Sequence, residues 1–432
     1  MKNFRLWSLI GMAAVVGGTM SACGGKGGDS SSGNASVRIA NATLTHPSLD
    51  LLVNSTASAS ATTADNVSAY VSPAGGSVTL QINDAGAGTA LATTVPTLTG
   101  GNHYTLVVYE AGGAVKTAVL NEDYTAPTTG TAQLRVYDAA LDAGKLDVYI
   151  TDPAVTDLTT VAANATFTTT TANSATALLT YSPGTYRVRI TAAGSKTDVR
   201  ADIPSVTLTS QQIATVILTP ASGGVLVNGS TLIQQGAYGA ARNPNIRVRL
   251  AAAVSGGAMV GATSSNGAVI AAPSVAPQFG FYATVPFASS LNITVNGQSV
   301  AAPVTTGFKA GDDVTLLVSG APASAAATLI KDDNRLPTDA TTTKLRLING
   351  ITGNVGTLTL TANTALVGTN IAYGAASSYA QVIGSTSAMN LTLTSSTASG
   401  NLLVNNQNVL SANTVYTVMA GGDVAAPQLL IR

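Results

Sequence analysis

Charged side chains are scarce in this sequence of 432 residues. Asp, Glu, Lys and Arg make up 9 % of it, against about a quarter in an average globular protein. Lys plus Arg and Asp plus Glu number 20 each, so the formal net charge is zero. This balance leaves no overall basic field to collect nucleic acid, and we predict no nucleic-acid partner. The chain is not of the disordered class either, because 45 % of its residues are apolar.

Histidine, glutamate and cysteine are almost missing, which restricts the chemistry that the chain can perform. His46 and His103 are the two histidines, and a Ser-His-Asp triad would have to use one of them. Ligand spacing of the zinc type and the Gly-x-Ser-x-Gly elbow are both absent from the sequence. A glycosidase needs two carboxylates in one cleft, but Glu occurs only at Glu110 and Glu122. We therefore predict no catalytic residue, no metal ligand, no cofactor and no enzymatic activity.

The single cysteine, Cys23, follows a short apolar segment at the N-terminus. Lys2 and Arg5 precede apolar residues 6–16, which is the charge and length pattern of a secretory signal. The sequence Met20-Ser21-Ala22-Cys23 resembles the lipobox of bacterial lipoproteins. The resemblance implies cleavage after Ala22 and acylation of Cys23, and residues 1–22 are then the signal peptide. An ordinary secretory signal that contains a cysteine is the alternative.

The Gly- and Ser-rich residues 23–34 are predicted to be a flexible tether. The tether would hold the protein at a membrane of the cell envelope through its N-terminal lipid. In a Gram-negative cell, Gly24 after the cysteine favours the outer membrane or the cell surface. Beyond residue 22 no apolar run reaches the length of about 18 residues that a spanning helix needs.

Comparison of the chain with itself shows one pattern in four copies. Each copy opens with an apolar-Arg-apolar stretch: Val37-Arg38-Ile39, Leu134-Arg135-Val136, Ile246-Arg247-Val248 and Leu345-Arg346-Leu347. The arginines are 97, 112 and 99 residues apart, which is the size of an immunoglobulin-like sandwich. Apolar and polar residues then alternate with the period of half-buried strands. The sequence predicts an all-β tandem array of immunoglobulin-like β-sandwich domains, over residues 35–127, 128–240, 241–339 and 340–432.

Two tyrosines point to a specific feature of such sandwiches. Tyr104 and Tyr416 each follow a Leu by six residues, at a turn that leads into an apolar strand. This spacing predicts a tyrosine corner, in which the hydroxyl bonds back to the backbone of the preceding turn. Ala214 and Val314 occupy the corresponding positions of the second and third copies, so their corners must be held differently.

The combined pattern resembles domain-of-unknown-function family 4397, found as tandem copies in bacterial lipoproteins and surface proteins. The resemblance rests on the opening strand, on Leu49-Asp50-Leu51-Leu52-Val53, on the turns at residues 72–76 and 182–184, and on a Gly-x-x-Tyr-Thr strand. It extends over roughly residues 35–220 and weakens afterwards. The family implies an exported β-sandwich and says little about activity.

The charged residues of the repeats have structural interpretations. Asp50 and Asp147 follow Arg38 and Arg135 by the same 12 residues, which predicts two cross-strand ion pairs on the solvent face. Acidic residues also gather at the junctions between copies, at Glu122-Asp123 and at Asp332-Asp333-Asn334 with Asp339. Calcium binding at these junctions is left open beside solvated turns, although no EF-hand spacing occurs.

Aromatic residues are few, and the only Trp is Trp7 in the leader. Phe279, Phe281, Tyr282 and Phe287 form the densest group, and strand alternation predicts that they pack in the core. We expect a lipid-anchored, non-enzymatic spacer, adhesion or protein-interaction module. The first alternative is a carbohydrate- or envelope-polymer-binding module, which a cleft lined by Tyr282 and Phe279 would favour. The second is an enzyme of unrecognised chemistry.

Overall fold

The computed structural model describes residues 33–168, 170, 172–353 and 355–432. The predicted signal peptide, Cys23 and nearly all of the predicted tether lie outside the described residues. Within them the regular secondary structure is almost entirely strands that form separate sheets, which confirms the predicted all-β array of sandwiches. Across these ranges, no helix has both the length and the apolar character of a membrane span.

The first two units contain the following elements, in chain order. Unit 1 is formed by β1 (Ser36–Asn41), β2 (Ser48–Val53), β3 (Thr56–Thr63), β4 (Gly76–Ser77), β5 (Leu80–Asp84), β6 (Ala90–Thr94), β7 (Thr97–Leu98), β8 (His103–Ala111) and β9 (Ala114–Asn121). Unit 2 is formed by β10 (Ala132–Asp138), a 3-10 helix η1 (Leu141–Ala143), β11 (Leu146–Thr151), β12 (Ala165–Phe167), β13 (Ser174–Ala175), β14 (Leu179–Tyr181), β15 (Gly184–Ala192), β16 (Val199–Leu208), β17 (Ile213–Pro220), β18 (Val227–Ile233) and β19 (Tyr238–Ala241).

The last two units repeat this plan. Unit 3 is formed by β20 (Asn245–Val254), β21 (Met259–Ser264), β22 (Val269–Val275), β23 (Gln278–Phe279), β24 (Ala283–Pro286), β25 (Leu291–Val295), β26 (Gln298–Val300), β27 (Asp313–Gly320), a 3-10 helix η2 (Pro322–Ser324) and β28 (Ala326–Asp332). Unit 4 is formed by β29 (Thr342–Asn349), β30 (Leu358–Ala362), β31 (Ala365–Ile371), β32 (Ala380–Ile383), β33 (Met389–Ser395), β34 (Asn401–Asn408), β35 (Thr414–Asp423) and β36 (Ala426–Ile431).

Every unit has two main sheets, and unit 1 has in addition the two-stranded sheet β4-β7. In the first, which we term the parallel sheet, the opening strand of the unit pairs in parallel with a strand near its end; these pairs are β1 with β8, β10 with β17, β20 with β27 and β29 with β35. The other sheet is antiparallel and starts from the second strand, in the orders β3-β2-β5-β6, β12-β11-β15-β16, β22-β21-β25-β26 and β31-β30-β33-β34. The first and second strands of every unit therefore belong to different sheets.

The apolar core of each unit lies between its two sheets. In unit 1, Val37 and Ile39 of β1 point inward with Leu106 and Val108 of β8, and all four are fully buried. Because successive side chains alternate between faces of a strand, Arg38 and its neighbours at every second position point to the other face of the parallel sheet. Units 2, 3 and 4 have equivalent cores.

That other face is also buried, because the units dock in pairs. In the first pair, Ala40 and Val107 of unit 1 pack against Ile217 and Leu232 of unit 2. In the second pair, an equivalent cluster joins Ala251, Phe279 and Leu317 of unit 3 to Ile348 and Met419 of unit 4. The parallel sheets of each pair thus pack face to face, with the antiparallel sheets on the outside.

The predicted tyrosine corners are confirmed in units 1 and 4. The backbone N–H of Thr99 donates to the Tyr104 hydroxyl at 3.0 Å, and that of Ser411 to the Tyr416 hydroxyl at 3.3 Å. In units 2 and 3 a side chain two residues before the replaced tyrosine accepts the corresponding bond. The Thr209 N–H donates to Gln212 Oε1 at 2.8 Å, and the Lys309 N–H donates to Asp312 Oδ2 at 2.9 Å.

Candidate functional site

A buried arginine occupies the same place in the parallel sheet of every unit. Its Nε donates to a threonine hydroxyl directly across the parallel strand pair. The four bonds are Arg38 to Thr105 at 2.9 Å, Arg135 to Thr215 at 3.0 Å, Arg249 to Thr315 at 2.9 Å and Arg346 to Thr417 at 3.2 Å. Each guanidinium also lies 4.4–4.7 Å from the centroid of an aromatic ring. These arginine clusters sit in the interfaces where the units dock.

In the first pair the cluster is completed by the acid that ends unit 1. Arg38 binds Glu122 through Nη2 at 2.7 Å and the backbone oxygen of Gly236 in unit 2 through Nη1 at 2.7 Å. The Tyr70 and Thr105 hydroxyls donate to the Glu122 carboxylate, the former at 2.9 Å. The backbone N–H of Gln235 in unit 2 donates to the same carboxylate at 2.6 Å. Unit 2 is therefore bound to a charge pair that unit 1 supplies.

The second pair places two guanidiniums on one carboxylate. Asp332, which ends unit 3 and is fully buried, forms an ion pair with Arg346 of unit 4 and lies 3.6 Å from Nε of Arg249. The Thr315 hydroxyl donates to Asp332 at 2.7 Å, and the Tyr282 hydroxyl also donates to it. Thr105 and Tyr70 have the same roles in the first pair.

The prediction that Arg38 pairs with Asp50 and Arg135 with Asp147 was wrong. β1 and β2 belong to different sheets of unit 1, and β10 and β11 to different sheets of unit 2, so equal offsets along the chain do not place these side chains opposite each other. Asp50 instead accepts from the backbone amides of Ala61 and Gly86. The predicted solvent face is in fact an interface.

The repeat alignment of the third copy was also wrong by two residues. Arg249, rather than Arg247, lies opposite the threonine and corresponds to Arg38. The spacings between consecutive arginines are then 97, 114 and 97 residues. Arg249 follows Arg38 by 211 residues, and Arg346 follows Arg135 by the same 211. The chain is therefore a repeat of a docked pair.

Three of the junction acids that sequence patterns left open for calcium are bound to cations of the chain itself. Glu122 pairs with Arg38, Asp332 with Arg346, and Asp333 with Lys344 at 2.5 Å. Among the described residues, no group of three or more His, Cys, Asp and Glu side chains is arranged to hold a metal ion.

The two histidines are engaged separately in unit 1. His46 Nδ1 lies 2.7 Å from Asp84 Oδ1, and its Nε2 lies 3.9 Å from Glu110 Oε1. His103 Nδ1 lies 3.1 Å from Asp123 Oδ1 at the far end of the unit. The two rings therefore do not form one site together.

One buried carboxyl has a shifted pKa at the end of a parallel-sheet strand. Burial raises the pKa of Asp138 to about 6, although its carboxylate accepts the backbone amide of Ala140 at 2.9 Å. Asn41 and Asn349 occupy the same position in units 1 and 4, where they accept the equivalent amide bond and also donate to backbone oxygens.

The two pairs are docked against each other through a close backbone approach. A Cβ on Gly223 would overlap the carboxylate of Asp312, and one on Gly224 that of Asp313. Glycine is therefore required at both positions for unit 2 to contact unit 3. Residues 333–341, which lead into unit 4, cross unit 2, where Arg335 Nη2 donates to the backbone oxygen of Ala221 at 2.6 Å.

This docking leaves an open cleft of about 760 Å³ where units 2, 3 and 4 meet. Its lining includes Lys145 of unit 2, Phe281 and Tyr282 of unit 3, and Tyr416 and Arg432 of unit 4. Arg432 lies over the ring of Phe281, with its guanidinium carbon 4.8 Å from the ring centroid. The size is in the range of sites that bind small molecules.

The prediction of core packing for the aromatic group is correct only in part. Phe279 is 3 % exposed and belongs to the interface of the second pair, and Phe287 packs against the core of unit 3. Tyr282 is half-buried between the guanidiniums of Arg247 and Arg249, at 4.3 and 4.6 Å from its centroid. Phe281 is 77 % exposed in the cleft, which strand alternation did not predict.

Sequence reasoning did not single out Lys145 and Arg432 as members of this site. They come from different units, and no spacing in the chain connects them to Phe281. The predicted cleavage position after Ala22 and the lipid attachment site Cys23 lie outside the described residues.

Comparison with known proteins gives one finding about family and none about activity. No curated protein matches the chain. Residues 35–149, which span unit 1 and reach into β11 of unit 2, match the family model described as Domain of unknown function (DUF4397), and the predicted resemblance is thereby confirmed over these residues.

Proposed function

We propose that this protein is a non-enzymatic, lipid-anchored module of the cell envelope that presents a rigid surface to a macromolecular partner. The observation that carries the proposal is the docking of the units through buried arginine clusters. Linked sandwiches with hydrated faces would move independently, whereas these pairs share apolar clusters and buried charges. A rigid body of this kind is suited to spacing or adhesion.

The anchor is part of the proposal and has its own support. Cys23 stands at the end of a signal-like segment and before a flexible stretch, so acylation there would leave the docked units free above the membrane. We propose the outer membrane or the cell surface as the location if the cell is Gram-negative.

Acyl labelling tests the anchor. Cells that produce the full chain or its Cys23→Ser variant are grown with an alkyne fatty acid and then fractionated. We expect label and membrane recovery for the full chain, loss of both for Cys23→Ser, and no change for the control Ser32→Ala. Equal labelling of the Cys23→Ser variant would contradict lipid attachment at this residue.

Cross-linking on intact cells tests the partner. The full chain is treated with a short amine-reactive cross-linker, and the Asp332→Asn variant, whose second pair is weakened, serves as the comparison. We expect a discrete cross-linked product with the full chain that diminishes in the variant. A product of unchanged yield would show that the docked arrangement is not what the partner recognises.

Carbohydrate or envelope-polymer binding is the second candidate. The exposed aromatic ring of Phe281 in a cleft between units is the observation that favours it.

A further inference from the structure

The charged side chains that line the cleft between units 2, 3 and 4 are all cationic. Its cationic members are Lys145, Arg200, Arg247, Arg249 and Arg432. Among the described lining residues none is acidic, in a chain whose total charges balance. A concave surface of a single sign concentrates ligands of the opposite sign.

The cations of the lining divide into a buried floor and an exposed rim. Arg247 and Arg200 share Asp198 at 3.1 and 2.8 Å, and Arg249 is held by Thr315 and Asp332, so the floor is internally balanced. Lys145 of unit 2 and Arg432 of unit 4 are exposed, and no ion pair within the described ranges engages either of them. The rim therefore has two cations available to a ligand.

Phe281 supplies an apolar surface in the same cleft. It is 77 % exposed, while Phe279 two residues earlier is 3 % exposed, so this segment buries one ring and presents the other. The Arg432 guanidinium carbon lies 4.8 Å from the centroid of the Phe281 ring, so a cation and an exposed aromatic ring adjoin in the cleft. Aromatic faces of this kind stack on the C–H face of a pyranose ring.

We propose that this cleft binds a short acidic oligosaccharide, in which one uronate ring stacks on Phe281 and carboxylates pair with Lys145 and Arg432. The proposal rests on the proposed function and names its partner class. Carboxylate is an anion that guanidinium can recognise with two parallel hydrogen bonds. The cleft volume of about 760 Å³ accommodates a few sugar rings.

Calorimetric titration of the full chain, purified in mild detergent, with tetragalacturonate tests the proposal. We expect binding that weakens several-fold when salt is raised from about 0.05 M to about 0.5 M, because the rim cations are exposed to screening. Phe281→Ala should weaken binding about tenfold. Lys145→Gln and Arg432→Gln should each weaken it about threefold at the lower salt concentration.

Matched variants and ligands separate the cleft from the general surface. Val304→Ala removes an equally exposed apolar side chain of unit 3, and Lys309→Gln an exposed lysine outside the cleft; neither should change the affinity. Neutral galactotetraose tests the need for carboxylates, and citrate tests the need for a sugar ring.

Several results would overturn the proposal. They are absence of tetragalacturonate binding, equal affinity for galactotetraose or citrate, and an unchanged affinity in the Phe281→Ala variant. None of these results touches the acylation of Cys23 or the cross-linked product on cells, so this proposal can fail while the proposed function stands.

Discussion

The two docked pairs differ in how they neutralise their buried arginines. In the first pair, Glu122 neutralises only one arginine, Arg38. Arg135 instead donates to the hydroxyls of Thr215 and Tyr124, the latter from Nη1 at 2.6 Å. Within the described ranges no ion pair joins Arg135 to an acid. In the second pair, Asp332 serves both arginines.

The difference shows which parts of the interface are interchangeable. The threonine partner of the arginine occurs in all four units, whereas the number of carboxylates per guanidinium varies. A buried guanidinium can be accommodated by aligned hydroxyls and an aromatic face when one edge still reaches solvent. The second pair concentrates its charge compensation on a single residue and should be the more easily broken.

Asp332→Asn should produce the largest effect. It leaves two guanidiniums, 3 % and 2 % exposed, without their carboxylate, and we expect the free energy of unfolding of the second pair to fall by about 5 kcal/mol. Glu122→Gln, which strands one guanidinium, should cost less. Urea titration followed by far-ultraviolet circular dichroism measures both losses. Equal losses would show that Asp332 is not shared as the geometry implies.

Removing either arginine of the first pair should weaken the docking of units 1 and 2. Arg38→Met leaves Glu122 buried without its cation, and we expect a loss of about 3 kcal/mol in the free energy of unfolding. Arg135→Met strands only hydroxyls, and we expect a loss of about 1.5 kcal/mol. The same urea titration measures both variants. A larger loss for Arg135→Met would mean that an acid compensates Arg135 after all.

Asp138→Asn should stabilise unit 2 above pH 6. The raised pKa means that the folded state favours the protonated carboxyl. The destabilisation caused by ionising Asp138 in the folded state is therefore absent below about pH 4 and complete above about pH 6. Asn removes the penalty, and we expect a gain of about 2 kcal/mol at pH 7.5 and little change at pH 4. Thermal unfolding at the two pH values measures the effect, and a gain that does not vary with pH would contradict the origin in ionisation.

The smallest effects should come from the tyrosine corners. Tyr104→Phe and Tyr416→Phe each remove one acceptor of a backbone amide, for an expected loss of about 1 kcal/mol in the free energy of unfolding. The shorter bond of Tyr104 should make its loss the larger one. A larger loss of unfolding free energy for Tyr416→Phe than for Tyr104→Phe, in the same urea titration, would contradict this order.

Sequence patterns predicted the features that depend on neighbouring residues. The period of two identified the strands, and the Leu-to-Tyr spacing identified both tyrosine corners, because a corner is a contact within six residues. The faces of the parallel sheet could not be assigned in this way. Arg38 meets Thr105, 67 residues away, through a parallel pairing that leaves no local signal.

A signal for the interface was nevertheless present in the opening strands. β20 ends in Ala251, Ala252, Ala253 and Val254, which are apolar on both faces, and strands buried on both faces lose their alternation. Small residues beside an arginine indicate that another backbone comes close. The site in the cleft left no such trace, because it is assembled from three units.

The spacing of 211 residues between corresponding arginines has a consequence for how such chains can change length. A solitary sandwich would display a guanidinium set in a patch of alanines and valines, a surface poorly suited to water. Addition or deletion of one unit would leave an odd member with that surface uncovered. Chains of this design should therefore lengthen and shorten in steps of two, as an even-numbered series.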